Sequence, residues 1–67
     1  MMNIRINGKQ KTLKRRLTIR QLLLELDYDM LSVAIALNQE FVPRNIHGDT
    51  WISEGDDIEI VTARQGG

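Results

Sequence analysis

Two glycines, Gly66 and Gly67, close the chain and are the residues whose type and position point most directly to chemistry. Because glycine lacks a Cβ atom, a Gly-Gly tail passes through narrow channels and adopts backbone angles that other residues avoid. A partner that activates the terminal carboxylate needs this kind of access. Arg64 and Gln65 lead into the glycines without an apolar anchor, so residues 64–67 are predicted to form a mobile tail. Chain ends are often small and frayed, so the meaning of Gly-Gly depends on the fold that precedes it.

The remaining residue types exclude most other site chemistry. The chain has no cysteine, which rules out disulfides, thiolate metal sites and a nucleophilic thiol. His47 is the single histidine, so a histidine metal cluster is also excluded, and we expect His47 in a surface loop. The aspartates Asp27, Asp29, Asp56 and Asp57 are better explained by capping and turns than by a metal site. We therefore predict neither a catalytic residue nor a bound metal.

The length and composition favour a small domain that acts through partners. With 67 residues, of which 42% are apolar, the chain can build one compact core but not a core plus a deep substrate cavity. One domain is predicted over residues 1–63, and an enzyme is not expected. No segment approaches the roughly 20 apolar residues of a membrane span. No N-terminal leader is evident, so a cytoplasmic location is expected. A monomer is also expected.

The charge balance argues against a nucleic-acid partner. Nine basic residues offset nine acidic ones, whereas nucleic-acid binders usually carry a basic excess. The one basic cluster is interpreted as a solvated hairpin and loop, and it comprises Lys9, Lys11, Lys14, Arg15 and Arg16. No nucleic-acid site is predicted from it.

The first half of the chain predicts a hairpin followed by a helix. Residues 2–7 alternate between apolar and polar, as in a half-buried strand. Asn7-Gly8 is a two-residue hairpin signal because both residues tolerate positive φ, and residues 9–13 then pair back. Thr18 and Gln21 form a capping box at a helix start. The apolar residues that follow repeat at helical spacing: Ile19, Leu22, Leu23 and Leu26.

The second half predicts three further strands. Residues 33–37 form a continuous apolar run, so both faces of that strand must be at least partly covered. Asn38-Gln39 is a tight turn into a short strand that Pro43 ends, since proline cannot donate to a ladder. Residues 57–63 form the last strand. The stretch 44–54 between them is irregular, with three expected anchors: Ile46, Trp51 and Ile52.

These elements follow the order β-β-α-β-β-β. Placing the first and last strands side by side and parallel at the sheet centre, with the helix across one face, buries all the apolar stripes together. The predicted fold is therefore α+β, a β-grasp arrangement. It has a mixed sheet of about four to five strands and one main helix packed across one face.

The central segment carries a family resemblance. Residues 33–44, which read VAIALNQEFVPR, resemble the signature of the ThiS family, the ubiquitin-like sulfur carriers of thiamine biosynthesis. Trp51, the run Glu54-Gly55-Asp56 and the terminal Gly66-Gly67 extend the resemblance over essentially the whole chain. Asn38-Gln39 departs from the Asn-Gly of many members, which affects the turn type and not the chemistry.

The resemblance implies a carrier cycle at Gly67. A partner adenylyltransferase of the E1-like class would use ATP with Mg²⁺ to convert the Gly67 carboxylate to an acyl-adenylate. A sulfur-donating protein would then supply the sulfur of a thiocarboxylate, which a thiazole synthase would consume. The chain itself would bind no cofactor. Because the chain lacks cysteine, it cannot hold sulfur as its own persulfide, and the C-terminus is the plausible place for it.

Three alternative functions remain compatible with a β-grasp fold. A molybdopterin-pathway sulfur carrier would share the terminal Gly-Gly chemistry, although the Val42-Pro43-Arg44 triplet favours the thiamine pathway. A ubiquitin-like modifier would instead form isopeptide bonds to lysines. A plain binding module, such as an RNA-binding appendage, is disfavoured by the free Gly-Gly and the neutral charge.

A partner-binding surface is predicted beside the tail. The small side chains of Ala34 and Ala36 suit a close approach of the helix, so they are placed inward. The predicted surface then combines the outward side chains of two neighbouring strands: Val33, Ile35, Leu37, Val61 and Ala63. We expect the activating enzyme to grip this surface while the tail enters its active site. In the alternative arrangement, residues 44–52 fold over the surface and convert it into a second small core.

Overall fold

The computed structural model describes residues 1–62, which form a five-stranded sheet packed against one α-helix. The strands are β1 (Met2–Ile6), β2 (Lys9–Leu13), β3 (Val33–Leu37), β4 (Glu40–Val42) and β5 (Asp57–Thr62). The helix α1 spans Ile19–Glu25, and two short 3₁₀ helices span Met30–Ser32 and Arg44–Asp49. The predicted order β-β-α-β-β-β is confirmed. The predicted domain end at residue 63 and the tail 64–67 lie outside the described residues.

The sheet has the strand order β2-β1-β5-β3-β4. The first and last strands, β1 and β5, lie side by side and parallel, and every other neighbouring pair is antiparallel. The predicted central parallel pair and the mixed sheet are therefore confirmed, and the architecture is the ubiquitin-like β-grasp. This order places β5, the strand that leads to the tail, at the centre of the sheet.

Two tight turns set the registers of the hairpins. Asn7 and Gly8 have φ values of 50° and 82°, and Asn38 and Gln39 have φ values of 52° and 69°. Two consecutive residues with positive φ give the turn whose twist matches that of paired strands. Both predicted turns are confirmed, and Gln39 holds the left-handed conformation although it carries a Cβ atom.

The helix begins at the predicted capping box. The Thr18 hydroxyl accepts a hydrogen bond from the Gln21 amide at 3.1 Å, and the Gln21 side chain accepts one from the Thr18 amide at 3.0 Å. These bonds satisfy amide donors that have no partner inside the helix. The helix ends at Glu25 with Leu26 as its C-cap, and Asp27 follows with a φ of 62°. No helix within residues 1–62 is long and apolar enough to cross a membrane.

The core lies between the sheet and α1. Ile58, the second residue of β5, is fully buried, as are Leu22 and Leu23 of the helix. Leu24, the next helical residue, is 58% exposed because it lies on the opposite side of the helix. The buried apolar residues come from every strand, from α1 and from two connecting segments: Ile4, Leu13, Leu17, Ile19, Leu22, Leu23, Val33, Ile35, Val42, Ile52, Ile58 and Ile60.

The orientation predicted for β3 is wrong, because its larger side chains face the core. Val33 and Ile35 are 7% and 1% exposed, whereas Ala34 is exposed on the other face. Ile35 lies opposite Ile60 of β5, and Ala34 lies opposite Val61. Directly opposed residues of antiparallel strands project on the same face, so the buried Ile60 requires Ile35 to point inward. Branched side chains also fill the space beneath the helix, which alanines would leave poorly packed.

The environments predicted for Trp51 and His47 are also wrong. Trp51 is 47% exposed, and the guanidinium of Arg16 lies 4.8 Å from its ring centre. Its neighbour Ile52 points into the core instead, since successive residues of an extended segment face opposite sides. His47 is 3% exposed, and its Nε2 lies 3.0 Å from the Val42 carbonyl, to which it can donate a hydrogen bond. The contact joins the second 3₁₀ helix to β4.

Candidate functional site

The predicted carrier group lies just beyond the part of the chain that the structure describes. Gly67, its lead-in residues Arg64, Gln65 and Gly66, and Ala63 of the predicted surface are all outside the described residues. The last described residue, Thr62, ends β5 and pairs with Val33 at the start of β3. The described structure therefore defines the base from which the tail departs.

This base is held at the centre of the sheet. Ile58 and Ile60 of β5 are buried, and β1 and β3 flank the strand on either side. Beyond the end of β1, the Asn7 side chain continues the pairing to β5. Its Oδ1 accepts from the Ile60 amide at 2.8 Å and its Nδ2 donates to the Ile60 carbonyl at 3.3 Å. Because an amide side chain can both accept and donate hydrogen bonds, the Asn7 side chain takes the place of the backbone groups of one further residue in the pairing of β1 with β5.

The start of β5 is fixed by the turn that follows β3 and by the turn that precedes β5. The Asn38 Oδ1 accepts from the Asp57 amide at 2.9 Å, and its Nδ2 donates to the Asp56 carboxylate at 3.1 Å. Asp56 also accepts from the Ser53 amide at 2.7 Å. The turn after β3 and the Gly55-Asp56 turn are thus in direct contact. These polar residues position β5 and do not form a reactive site.

The outer face of the sheet, opposite α1, carries an exposed apolar surface. Val61 and Phe41 are 58% and 69% exposed. Ala34 lies opposite Val61, and Ala36 lies opposite Phe41, so all four share one face across three neighbouring strands. We call these four residues the outer apolar patch: Ala34, Ala36, Phe41 and Val61.

Leu31 and Arg44 extend this surface toward the end of β5. Leu31 is 74% exposed, and together with Ala34, Val61 and Arg44 it lines a shallow depression of about 260 Å³. The Arg44 guanidinium donates to the Leu31 carbonyl at 3.3 Å, which ties the two residues together. Thr62 also lines the depression, so the surface reaches the point where the tail departs.

The structure corrects the membership of the predicted partner surface. Val33 and Ile35 lie in the core, and Leu37 is partly buried against it. Val61 alone, among the predicted members that the structure describes, is exposed on the outer face. The predicted surface did not include Phe41. Phe41 and Val42 are adjacent in β4 and therefore point to opposite faces, so the buried Val42 places Phe41 on the outer face.

Asp29 and Asp56 take the capping and turn roles that their positions predict, whereas Asp57 begins β5. Asp29 caps the first 3₁₀ helix, where its two carboxylate oxygens accept from the Leu31 amide at 3.0 Å and the Ser32 hydroxyl at 2.9 Å. Asp56 closes the turn before β5. Within residues 1–62, no group of three or more His, Cys, Asp or Glu side chains is placed to hold a metal ion.

Comparison with known proteins decides the family. The model of the ThiS family matches residues 4–67 of this chain. The chain belongs to the ThiS family. Among solved structures, this ThiS-family chain resembles the crystal structure of the thiamine biosynthesis protein ThiS from Geobacter metallireducens. That structure has a TM-score of 0.85 at 30% identity, covering 98% of this chain and 100% of that one.

Further relatives agree with this assignment. A solution structure of a thiamine biosynthesis protein from Geobacter metallireducens has a TM-score of 0.82 at 30% identity, covering 98% of this chain and 88% of that one. A thiazole synthase from Paramagnetospirillum magneticum is 35% identical over 66 residues, which are 98% of this chain but only 20% of that protein. The uncharacterized protein ycf40 of Porphyra purpurea is 32% identical over 65 residues, 97% of this chain and 92% of that protein. Membership of the ThiS family supports a small sulfur carrier of thiamine biosynthesis and is consistent with a protein that is not itself an enzyme.

Proposed function

We propose that this chain carries sulfur for thiazole formation on the carboxylate of Gly67. The observation that carries the proposal is the ThiS-family match, which runs through to residue 67. The absence of cysteine among the 67 residues supports it, because no side chain of this protein can hold sulfur as a persulfide. The family match also favours this function over a molybdopterin-pathway carrier or a protein modifier.

The proposed cycle starts with activation of a poor acyl donor. A free carboxylate does not react with a sulfur nucleophile, since an oxide or hydroxide would have to leave. An activating enzyme of the E1-like class joins a Gly67 oxygen to the α-phosphorus of ATP and releases pyrophosphate. Mg²⁺ and ATP belong to that enzyme's active site and not to this chain, which contributes the acyl group.

Sulfur transfer then completes the carrier form. The terminal sulfur of a donor protein's persulfide attacks the Gly67 carbonyl carbon, a carbon–sulfur bond forms, the bond from that carbon to the AMP oxygen breaks and AMP leaves. A thiol then attacks the donor's own sulfur in the resulting acyl disulfide, which forms a new disulfide and breaks the sulfur–sulfur bond to Gly67. The product is a thiocarboxylate at Gly67. The thiocarboxylate gives up its sulfur when a thiazole synthase builds the ring, and an oxygen from the acceptor substrate or from water replaces it, which regenerates the carboxylate.

A thiazole synthase is the proposed acceptor enzyme. The relative from Paramagnetospirillum magneticum bears that name, and a region similar to this whole chain makes up one fifth of it. In that relative, a region similar to this chain is part of the same polypeptide as a thiazole synthase. This supports the proposal that this chain binds a separate thiazole synthase.

The outer apolar patch is the proposed docking surface for the activating enzyme. Val61 and Phe41 expose apolar side chains on a sheet face that faces away from α1. Glu59 lies opposite Ala36 on the same face and adds one carboxylate beside these side chains. Exposed apolar side chains grouped on one face of a small protein usually mark an interaction site. The patch reaches the end of β5, so an enzyme bound there has its active site within reach of a short tail.

An intact-mass measurement tests the proposed function. The protein is incubated with a ThiS-activating enzyme, ATP, Mg²⁺ and a sulfur-donating protein, and we expect a mass gain equal to the replacement of one oxygen by one sulfur. Fragmentation should locate the gain at Gly67. Omission of ATP is the control and should leave the mass unchanged. A covalent conjugate to another protein's lysine would instead identify a modifier, and an unchanged mass in the complete reaction would contradict the carrier function.

Substitution of Val61 by aspartate tests the docking surface. We expect Val61→Asp to raise the Kd for the activating enzyme at least tenfold, about 1.4 kcal/mol, because a carboxylate would be desolvated in an apolar interface. Leu24→Asp is a matched control, since Leu24 and Val61 are both 58% exposed but lie on opposite sides of the molecule. Calorimetric titration measures both. Equal binding of the two variants would place the interface elsewhere.

A further inference from the structure

A second surface, on the opposite edge of the sheet from β4, concentrates positive charge. Five basic residues occur between positions 9 and 16 with no acidic residue among them. We call this set the basic edge: Lys9, Lys11, Lys14, Arg15 and Arg16. The nine acidic residues of this neutral chain all follow position 20 in the sequence. The charge is therefore segregated although the total is zero.

The basic edge surrounds a groove beside β2. Lys11, Lys14 and Arg15 line a depression of about 320 Å³ that also contacts Glu25 at the end of α1. Arg15 and Glu25 form an ion pair at 3.1 Å, with side chains 70% and 45% exposed. An ion pair so exposed is weak and exchanges readily with another carboxylate. No other ion pair engages the basic edge within residues 1–62.

An aromatic side chain adjoins this charge. Arg16 lies over the Trp51 ring at 4.8 Å, and a backbone bridge between Thr18 and Trp51 holds the segment in place. Trp51 remains 47% exposed. Tryptophan and arginine are the residues that most often contribute large binding energies at protein interfaces.

The backbone of β2 is available on one side. Among the strands of residues 1–62, β2 pairs with β1 alone. Lysines on an edge strand hinder pairing with other chains, which explains Lys9 and Lys11 as protection against aggregation. That explanation does not cover Lys14, Arg15 and Arg16, which follow the end of the strand.

We propose that the basic edge is a second docking surface, which accepts an extended acidic segment of a partner protein as an added strand along β2. An acidic strand offers both N–H and C=O groups to the free backbone of β2, and its carboxylates neutralise the lysines that repel other strands. A nucleic-acid backbone offers phosphate acceptors but no matching backbone donors. The nearest member of the outer apolar patch is Val61 on β5, two interstrand spacings or about 10 Å from β2. Val61 lies on the outer face of the sheet, whereas the added strand would lie along its edge. The surface is thus distinct from the outer apolar patch, and the proposal does not depend on the sulfur chemistry.

Nuclear magnetic resonance titration of the full chain tests the proposal. The probe is an eight-residue peptide alternating glutamate and valine, compared with the same peptide carrying lysine for glutamate and with a single-stranded RNA of equal charge. With the acidic peptide we expect shifts of the β2 amides and the Trp51 indole N–H, and weaker binding at high salt. Binding of the lysine peptide with equal affinity, tighter binding of the RNA, or shifts confined to other elements would overturn the proposal.

A pair of charge-reversal variants separates local charge from total charge. Arg15→Glu should weaken peptide binding about tenfold or more. Arg20→Glu is the matched control, because it makes the same change in net charge at an exposed residue that lines a different depression and belongs to neither proposed docking surface. We expect the control to bind nearly as well as the unmodified protein. Equal weakening in both variants would overturn the proposal, and melting curves verify that both remain folded.

Discussion

Deletion of Gly67 is expected to abolish activation while leaving the fold intact. The shortened chain still ends in a carboxylate, on Gly66, but that group falls about 3.3–3.6 Å short of the reacting position. A misplacement of about 1 Å can already reduce a rate 10²-fold, so we expect at least this loss. ATP–pyrophosphate exchange with the activating enzyme measures it.

A deletion at the other end of the chain is the matched control. Met1 is 94% exposed and precedes β1, so its removal also shortens the chain by one terminal residue. We expect the Met1-deleted protein to retain full exchange activity and both proteins to melt at nearly the same temperature. Full exchange activity in the Gly67-deleted protein would contradict the carrier function itself, whichever surface binds the enzyme.

Ile35→Asp is expected to unfold the protein. Ile35 is 1% exposed on the central part of β3, so the variant loses buried apolar contacts and places a carboxylate in the core. Losing a large buried side chain alone typically costs about 2–5 kcal/mol. At about 0.05–0.15 kcal/mol per residue, a domain of this size has roughly 3–10 kcal/mol in total. The buried charge adds a further penalty, so little or no folded protein should remain at room temperature.

The neighbouring residue supplies the control for this experiment. Ala34 lies on the outer face of the same strand, so Ala34→Asp should remain folded, with a loss of about 1 kcal/mol from the lower strand propensity of aspartate. Because Ala34 belongs to the outer apolar patch, this variant should nevertheless bind the activating enzyme poorly. Thermal melts followed by circular dichroism distinguish the two. If Ile35→Asp stayed folded and Ala34→Asp unfolded, the result would contradict the orientation of β3 described above.

Local sequence patterns were sufficient to predict the secondary-structure elements and their order along the chain. Asn7-Gly8 predicts a hairpin because its two residues tolerate positive φ, and the capping box of Thr18 and Gln21 predicts the start of the helix. Each of these features depends on residues close together in the chain, so no tertiary contact is needed to specify it. The central parallel pairing of β1 and β5 also followed, because only that arrangement buries all the apolar stripes at once.

Tertiary structure alone decided which face of β3 is buried and which side chains form the candidate docking surface. The run 33–37 is apolar at every position, so its alternation is equally compatible with either orientation. The pairing of Ile35 with the buried Ile60 removes the ambiguity, and this pairing joins residues that are far apart in sequence. Trp51 and His47 were misplaced for the same reason, since their burial depends on which neighbour packs against them. The sequence by itself thus determined the fold and the Gly-Gly chemistry to be tested, whereas long-range packing determined the surface that presents it.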